Sequence, residues 1–240
     1  MHLVVGFHPA LFPIFRQPDS VAKLRKTSIG AHDFNDIELD LAGGPETQLG
    51  RVRLAAEAGA TQRWYGMRPS QRSFRLAGSG WVKAGRAAQL RVDGAARRTD
   101  NRFNDLEDGH GLALAARYER ALSPQLTFSL GAGTDRYKAK EDAYSTRSWT
   151  FSASAYRDIG RTTLDVGADL GWLKADDRLI LLPEAREDRL LRFHLGAVFR
   201  QLTVAGFAPT ARIIFERNRS TVEYYDYKRA RTEFGITRAF

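Results

Sequence analysis

The sequence predicts an all-β protein of one architecture, an antiparallel up-and-down transmembrane β-barrel. Segment after segment alternates between apolar and polar residues over eight to eleven positions, which is the period of a strand. Charged residues such as Asp165 and Arg192 stand in the middle of the polar faces, and short turns alternate with longer polar connections. A soluble β-sandwich also alternates, but its strands average about five or six residues and its inner faces meet. We therefore favour the barrel.

About eleven strands are visible in order along the chain. The clearest alternation falls at 51–60, 89–98, 112–120, 125–133, 148–156, 163–172 and 190–200, and weaker alternation falls at 36–41, 73–82, 210–217 and 228–240. Turn-rich pieces separate them at 66–71, 122–125, 157–161 and 205–209, and polar stretches do so at 100–111, 137–147 and 174–188. This order of short and long connections is typical of outer-membrane barrels.

Composition narrows the range of partners. The 240 residues carry a net charge of +9 with a pI near 10.0 and no cysteine, which excludes disulfides and thiolate metal sites. An excess of basic residues favours acidic partners. Lys and Arg are spread over strands and loops rather than gathered on a helix or a stacking platform, which argues against nucleic acid. Outer-membrane lipid and lipopolysaccharide explain the same excess, and we expect them as partners.

The amino-terminal segment differs from the remainder. Residues 2–15 are apolar but interrupted by Pro9 and Pro13, and they lack a leading basic region and a cleavage site of small residues. We expect residues 1–30 to be an atypical segment with a misassigned or truncated start. The barrel domain is then expected over residues 31–240.

The carboxyl terminus has the pattern of a closing strand. Phe234, Ile236 and Phe240 share one face of an extended chain. An open sheet in lipid would leave backbone groups unpaired, so the last strand is expected to bond to the first. Outer-membrane barrels end in an aromatic residue preceded by alternating apolar residues, which the barrel insertion machinery reads. These three residues are predicted to form that signal; a buried terminal strand in a soluble sheet is the alternative.

The polar faces of the last strands carry charges of both signs. Opposite charges on neighbouring strands stabilise a sheet, so a cross-strand ladder is predicted inside the lumen. Its residues are Asp165, Asp169, Arg192, His194, Arg200, Arg212, Glu216, Arg229, Arg231 and Glu233. The ladder either holds the wall together, which we favour, or provides a polar track for an extended client.

Catalytic and cofactor motifs are not found in the sequence. It has no Gly-x-x-x-x-Gly-Lys-Ser/Thr loop, no His-Glu-x-x-His and no Gly-x-Ser-x-Gly. His110 lies in a polar loop, and the glycines of 131–135 lack a βαβ context. We expect no cofactor, no metal and no enzymatic activity. A barrel lipid hydrolase that uses His194 is the weakest alternative, since no serine lies near it in the sequence.

Several stretches resemble a known family. Residues 181–189 (LLPEAREDR), 206–220 (GFAPTARIIFERNRS) and 225–240 (YDYKRARTEFGITRAF) resemble the carboxyl-terminal barrel of the surface lipoprotein assembly modifier family. Residues 61–69 (TQRWYGMRP) and 177–184 (DRLILLPE) are similar to it as well, so the likeness runs from about residue 35 to the end.

The resemblance implies a non-enzymatic outer-membrane translocon that delivers lipoproteins or haem-capturing proteins to the bacterial cell surface. Family members have a signal peptide, a periplasmic helical-repeat domain and a barrel of about fourteen strands, within the range of known barrels. This sequence lacks the first two and has fewer visible strands, so its first strands are expected to be missing. A porin-like passive channel is the second hypothesis. An exported client protein is the expected partner under the first.

Overall fold

Among the described residues, the sheet contains all of the regular structure except a few single turns of 3-10 helix. The computed structural model describes residues 21–27 and 36–238, and the side chains of residues 37–237. The strands are β1 (Val21–Thr27), β2 (Asp36–Gly43), β3 (Glu46–Leu49), β4 (Val52–Tyr65), β5 (Arg68–Lys83), β6 (Ala88–Asn101), β7 (Gly109–Ser123), β8 (Leu126–Ala139), β9 (Thr146–Ile159), β10 (Thr162–Ala175), β11 (Glu187–Phe199), β12 (Phe207–Ser220) and β13 (Tyr227–Arg238).

Strand order follows chain order. Over residues 21–27 and 36–238, twelve strands form one antiparallel path that follows the chain, and β3 pairs with the start of β4 beside that path. The predicted class, all-β with antiparallel up-and-down strands, is confirmed. In the pairings of the described residues β1 and β13 end the path, so closure between first and last strands stays a prediction.

The eleven expected strands correspond to β2 and to β4–β13. Sequence analysis missed β3, which has four residues, and β1, which pairs with β2 from Val21 and so lies ahead of the expected domain start at residue 31. The β1 sequence VAKLRKT is too basic to show alternation. Residues 1–20 and 28–35 lie outside the described residues, as does most of the segment predicted to be atypical.

The long strands exceed the expected eight to eleven residues, since β4–β13 contain between 12 and 16. The polar stretch expected to be a loop at 137–147, for example, is reduced to 140–145 because β8 and β9 continue into it. Backbone pairing does not require apolar side chains, so a strand can extend past its apolar segment. Alternation therefore marks only the central part of each strand.

Tight turns connect strands at positions where residues adopt left-handed backbone conformations. Gly66 and Met67, with φ of 54° and 64°, join β4 to β5, and Ala205 and Gly206, with φ of 51° and 80°, turn the chain before β12. Two consecutive residues with positive φ give the turn whose twist matches that of antiparallel strands. Met67 and Ala205 adopt a conformation that usually requires glycine or asparagine.

The two ends of the sheet differ. The connections 102–108, 140–145, 176–186 and 221–226 lie at one end, called here the loop end, together with the two-residue turn at 66–67. Connections 84–87, 124–125, 160–161 and 200–206 lie at the other, called here the turn end, where β13 also finishes.

Burial across the sheet is inverted relative to a soluble protein. Asp165 and Glu216 are each 2% exposed, whereas Leu195 on the opposite face is 53% exposed. Buried polar residues also include Ser129, Thr163 and Asn218, and the exposed residues of the opposite face include Leu112, Leu114, Phe151, Val166, Phe193, Phe215 and Phe234. Exposure of this apolar face to water would cost free energy, whereas contact with hydrocarbon would not. We call the polar side the inner face and the apolar side the outer face. In the described part of the chain no helix is long and apolar enough to cross a membrane.

Candidate functional site: the charged inner face and the loop collar

The inner face is concave, because side chains meet across an intervening strand. Arg97 on β6 reaches over β7 to bond both oxygens of Asp135 on β8, at 2.7 and 2.9 Å. Gly111 on β7 permits this, since a Cβ there would lie 2.9 Å from the Nε of Arg97. A cavity of about 330 Å³ lies on the same face, and its lining runs from Gln71 of β5 to Tyr225 beyond β12. The sheet therefore curls around a polar interior.

Asp165 on β10 is the centre of the first charged cluster. Its Oδ2 lies 3.2 Å from Nε2 of His194 on β11 and 3.3 Å from a terminal nitrogen of Arg212 on β12. Its Oδ1 is buried without a hydrogen bond within the described residues. In the strand register Gly196 lies between Asp165 and Arg212. Because Gly196 has no side chain, the carboxylate of Asp165 can extend over it towards Arg212.

Glu216 on β12 is the centre of the second cluster. Its side chain is fully buried, and Arg192 on β11 donates from Nε to Oε1 at 2.6 Å. Arg229 on β13 bonds the other carboxylate oxygen, so both oxygens are paired with arginine. Asp169 lies 3.8 Å from Arg192 and extends the cluster to β10. A buried carboxylate held by two guanidinium groups links three consecutive strands.

Most of the predicted ladder residues are therefore brought together on one face. Arg231 and Glu233 pair with each other along β13, at 3.2 Å, rather than across strands. Arg200 lies just past the end of its strand. Strand β11 ends at Phe199, one residue earlier than expected, and Arg200 begins the 3-10 turn Arg200–Leu202, where it pairs with Asp158 of β9 at 2.8 Å.

We expect Gly196→Ala to destabilise the folded protein by about 1–3 kcal/mol, as overpacking of a filled site does. A Cβ at this position would overlap Oδ1 of Asp165 and move the carboxylate away from its partners. Gly78→Ala is the matched control, because the nearest atom to its Cβ is the carbonyl oxygen of Ala55 at 3.9 Å. The measurement is the urea midpoint of both variants in detergent micelles. Equal midpoints would contradict the packing described for Gly196.

The loops of the loop end are joined into what we call the loop collar, residues 102–108, 140–145, 176–186 and 221–226. The amide of Glu141 donates to the carbonyl of Leu106 at 3.1 Å, and that of Asp176 donates to the carbonyl of Ser145 at 2.9 Å. The hydroxyl of Thr221 donates to the carbonyl of Ala185 at 2.9 Å. Each loop is thus hydrogen-bonded to the next around the rim.

The collar also extends over the inner face. The guanidinium of Arg186 stacks on the ring of Tyr225 at 3.5 Å, and both line the large cavity. A smaller cavity of about 60 Å³ lies among Tyr144, Leu182 and Val222, each from a different loop. Sequence analysis did not find these contacts, because loop residues carry no periodic signal. It also missed the Arg97–Asp135 pair, because Asp135 lies past the expected end of its strand.

The contact between Asp108 and Lys140 should make the collar sensitive to strong acid. The hydrogen bond from Lys140, 2.8 Å long, holds the pKa of Asp108 below its ordinary value of 3.8. A lowered pKa stabilises the folded state above the ordinary pKa, and that stabilisation is lost as the pH falls through the folded pKa. We expect the amides of Lys140 and Glu141 to be protected from hydrogen exchange at neutral pH and to lose protection below pH 3.8.

Exchange rates corrected for the intrinsic effect of pH provide the measurement for this expectation. Asp108→Asn is the control, since it should reduce protection at neutral pH and remove the further loss in acid. Protection that falls equally in the variant and the parent on acidification would show that another group is responsible.

His194 has part of the geometry that hydrolysis would need. It bonds Asp165, and Ser154 of β9 stands in the same row of the inner face, with Gly167 of β10 between them. The Ser154 hydroxyl lies 3.4 Å from the hydroxyl of Tyr156, and among the described residues it forms no hydrogen bond to His194. A nucleophile bonded to its base is therefore not assembled here.

Phe234 and Ile236 lie on the outer face of β13 and are 64% and 53% exposed. They belong to the same apolar surface as Leu195 and Phe215 on the preceding strands. Phe240, the third residue of the predicted insertion signal, lies outside the described residues.

Comparisons with known proteins identify distant structures and no family. No family model matches the chain, and no curated protein matches it. A membrane protein from a study of in-meso crystallisation has 9% identity and a TM-score of 0.46, with 89% of this chain and 79% of that chain covered. A bacterial polysaccharide outer membrane secretin has 12% identity and a TM-score of 0.45, with 90% of this chain and 76% of that chain covered. Similarity this low does not define a function.

Proposed function

We propose that the protein is a non-enzymatic β-barrel of the bacterial outer membrane. The observation that carries this proposal is the inverted burial, in which Asp165 and Glu216 are almost fully covered while Leu195 and Phe215 are about half exposed. A sheet that is apolar outside and polar inside suits lipid on one face and water on the other. The strands of 12 to 16 residues are long enough to cross hydrocarbon, which requires about nine to eleven.

Within that class, the protein delivers lipoproteins or haem-capturing proteins to the cell surface. The support is the resemblance to the surface lipoprotein assembly modifier family, whose similar segments fall on β12 and β13 and on the loop that leads into β11. Strands β12 and β13 carry Arg212, Glu216 and Arg229, which belong to the two charged clusters. The clusters serve first to hold the wall, since both oxygens of Glu216 and one oxygen of Asp165 are paired with arginine or histidine.

Removal of the gene from its host is the direct test. Surface lipoproteins in parent and deletion strains would be compared by protease treatment of whole cells followed by mass spectrometry. We expect at least one lipoprotein or haem-binding protein to become protease-resistant in the deletion strain while its total amount stays the same. Complementation with the gene should restore cleavage. An unchanged surface profile would refute the delivery role.

The porin-like channel is a second candidate because the inner face is polar and contains a cavity of about 330 Å³. Proteoliposomes that contain the protein would be placed in isosmotic small sugars, and swelling would reveal passive entry. Rapid swelling combined with an unchanged surface profile would favour the channel. His194→Ala tests the hydrolase: lipid composition that differs between membranes with parent and variant protein would favour catalysis.

A further inference from the structure

A basic patch lies on the outer face near the loop end. We call it the outer basic patch. Its residues are Lys174 of β10, Arg189 of β11, Arg217 and Arg219 of β12 and Lys228 of β13. All five share the parity of exposed apolar residues such as Leu191 and Phe215, so they project away from the charged inner face. Arg189, Arg219 and Lys228 are exposed.

The strand register places like charges directly opposite each other. Arg189 is paired with Arg219, and Arg217 is paired with Lys228. Residues directly opposite in an antiparallel pair have Cα atoms about 4.5–5.5 Å apart, and like charges there destabilise the sheet. A repulsion of this kind is relieved by an anion that binds both side chains.

Carboxylates on this surface form ion pairs with only two of the five basic residues of the patch. Glu187 bonds Lys174 at 2.6 Å, and Asp226 bonds Arg217 at 2.7 Å. Within the described residues, Arg189, Arg219 and Lys228 form no ion pair closer than 4.0 Å. The patch thus has five cations and two carboxylates, and three of the cations are free for an external anion.

The patch also lies at the depth of lipid phosphates. Leu195 lies in the middle of the apolar band of β11, and Arg189 precedes it by six residues. Six residues span about 20 Å along a strand. At a tilt near 45° this distance corresponds to about 15 Å along the membrane normal. The apolar band of such barrels is about 25 Å tall, so its half-height is about 12 Å. The guanidinium groups therefore lie just beyond the hydrocarbon. Long loops face the cell exterior in this class, which places the patch in the outer leaflet.

We propose that the outer basic patch binds the phosphorylated head group of an outer-leaflet glycolipid of the lipid A type. Arginine forms paired, charge-assisted hydrogen bonds to phosphate. Arg189 and Arg219 offer a site for one phosphate, and Lys228, opposite Arg217, offers a site for a second. The acyl chains would lie along the apolar side chains below the patch, including Leu191 and Phe193. The inference rests on the proposed outer-membrane location but not on any exported client.

The test measures binding of lipid A to the folded, detergent-purified protein. The probes are diphosphoryl lipid A, monophosphoryl lipid A and inorganic phosphate, and the readout is native mass spectrometry or thermophoresis. The variant is Arg189→Gln/Arg219→Gln. The matched control is Arg120→Gln/Arg157→Gln, because these arginines are also exposed on the outer face but lie near the turn end.

We expect at least a tenfold loss of affinity for diphosphoryl lipid A in the patch variant and less than a twofold change in the control. The parent should prefer diphosphoryl over monophosphoryl lipid A, a comparison that needs no variant. Equal losses in both variants, or no preference for the second phosphate, would overturn the proposal. Inorganic phosphate that competes at the concentration of the lipid would overturn the lipid assignment.

This assay and the test of delivery fail independently. A protein that binds diphosphoryl lipid A through the patch but leaves every surface protein unchanged would refute delivery alone. A protein that delivers a client but binds both lipids equally would refute the patch alone.

Discussion

Replacement of Glu216 by glutamine should lower the free energy of unfolding by about 1.5–3 kcal/mol, the contribution of hydrogen bonds to a charged group whose arginine partners stay partly hydrated. The carboxylate is fully buried and accepts from both Arg192 and Arg229. A neutral amide leaves two partly buried guanidinium groups with Asp169, 3.8 Å from Arg192, as the remaining counter-charge of the cluster. Urea titration of the protein refolded in detergent micelles or liposomes, followed by tryptophan fluorescence, measures the change.

Glu57→Gln is the matched control for this prediction. Glu57 also stands on the inner face and bonds one arginine, Arg75, at 2.6 Å, but its side chain is 38% exposed. Exposed ion pairs contribute about 0–1 kcal/mol, so this variant should unfold close to the parent. A Glu216 variant that is no less stable than the Glu57 variant would show that the charged cluster does not hold the wall.

Replacement of Leu195 by arginine should destabilise the membrane-inserted protein by about 2–4 kcal/mol, as charges do in the middle of a lipid-facing barrel surface. Leu195 is 53% exposed on the outer face, where a soluble protein would tolerate arginine with little change. A loss of stability in the variant would therefore indicate that lipid surrounds the outer face, and unchanged stability would indicate water. Urea unfolding in liposomes and the heat-modifiable folded fraction provide the measurements.

Leu181→Arg is the control for Leu195. Leu181 is 93% exposed but lies in the collar loop 176–186, beyond the hydrocarbon. It should leave the unfolding transition where it is in the parent. A Leu195 variant that folds as well as the Leu181 variant would contradict the lipid-facing assignment and, with it, the proposed location.

Strand positions could be predicted from sequence wherever one side of the strand is apolar. Alternation located β2 and β4–β13, because a period of two is imposed on any strand that separates hydrocarbon from water. It failed at the strand ends, where β8 continues to Ala139 through the polar residues Asp135, Arg136 and Lys138. It failed for β1 as well, because that strand contains three basic residues in seven.

For the candidate site, the sequence predicts which residues share a face of the sheet but not which of them form ion pairs with each other. Alternation places Asp165, Arg192 and Glu216 on one face, but it does not give the register that joins Glu216 to two arginines. Asp165 can reach across Gly196 because glycine has no side chain to block the carboxylate. The apolar and polar alternation of the sequence does not reveal this role of a glycine. The collar contacts depend on loop conformations that no local sequence rule specifies. The pairing of Arg200 with Asp158 of β9 was likewise not predicted, because parity does not name partners.

The agreement between strand order and chain order affects how the protein can be assembled. Every strand from β5 to β12 gains its partners from the strands immediately before and after it, so the sheet can grow one hairpin at a time. A chain cut at Gly160, in the turn between β9 and β10, would leave two pieces that share a full edge of 14 register positions. We expect two such pieces, produced separately, to recombine along that edge.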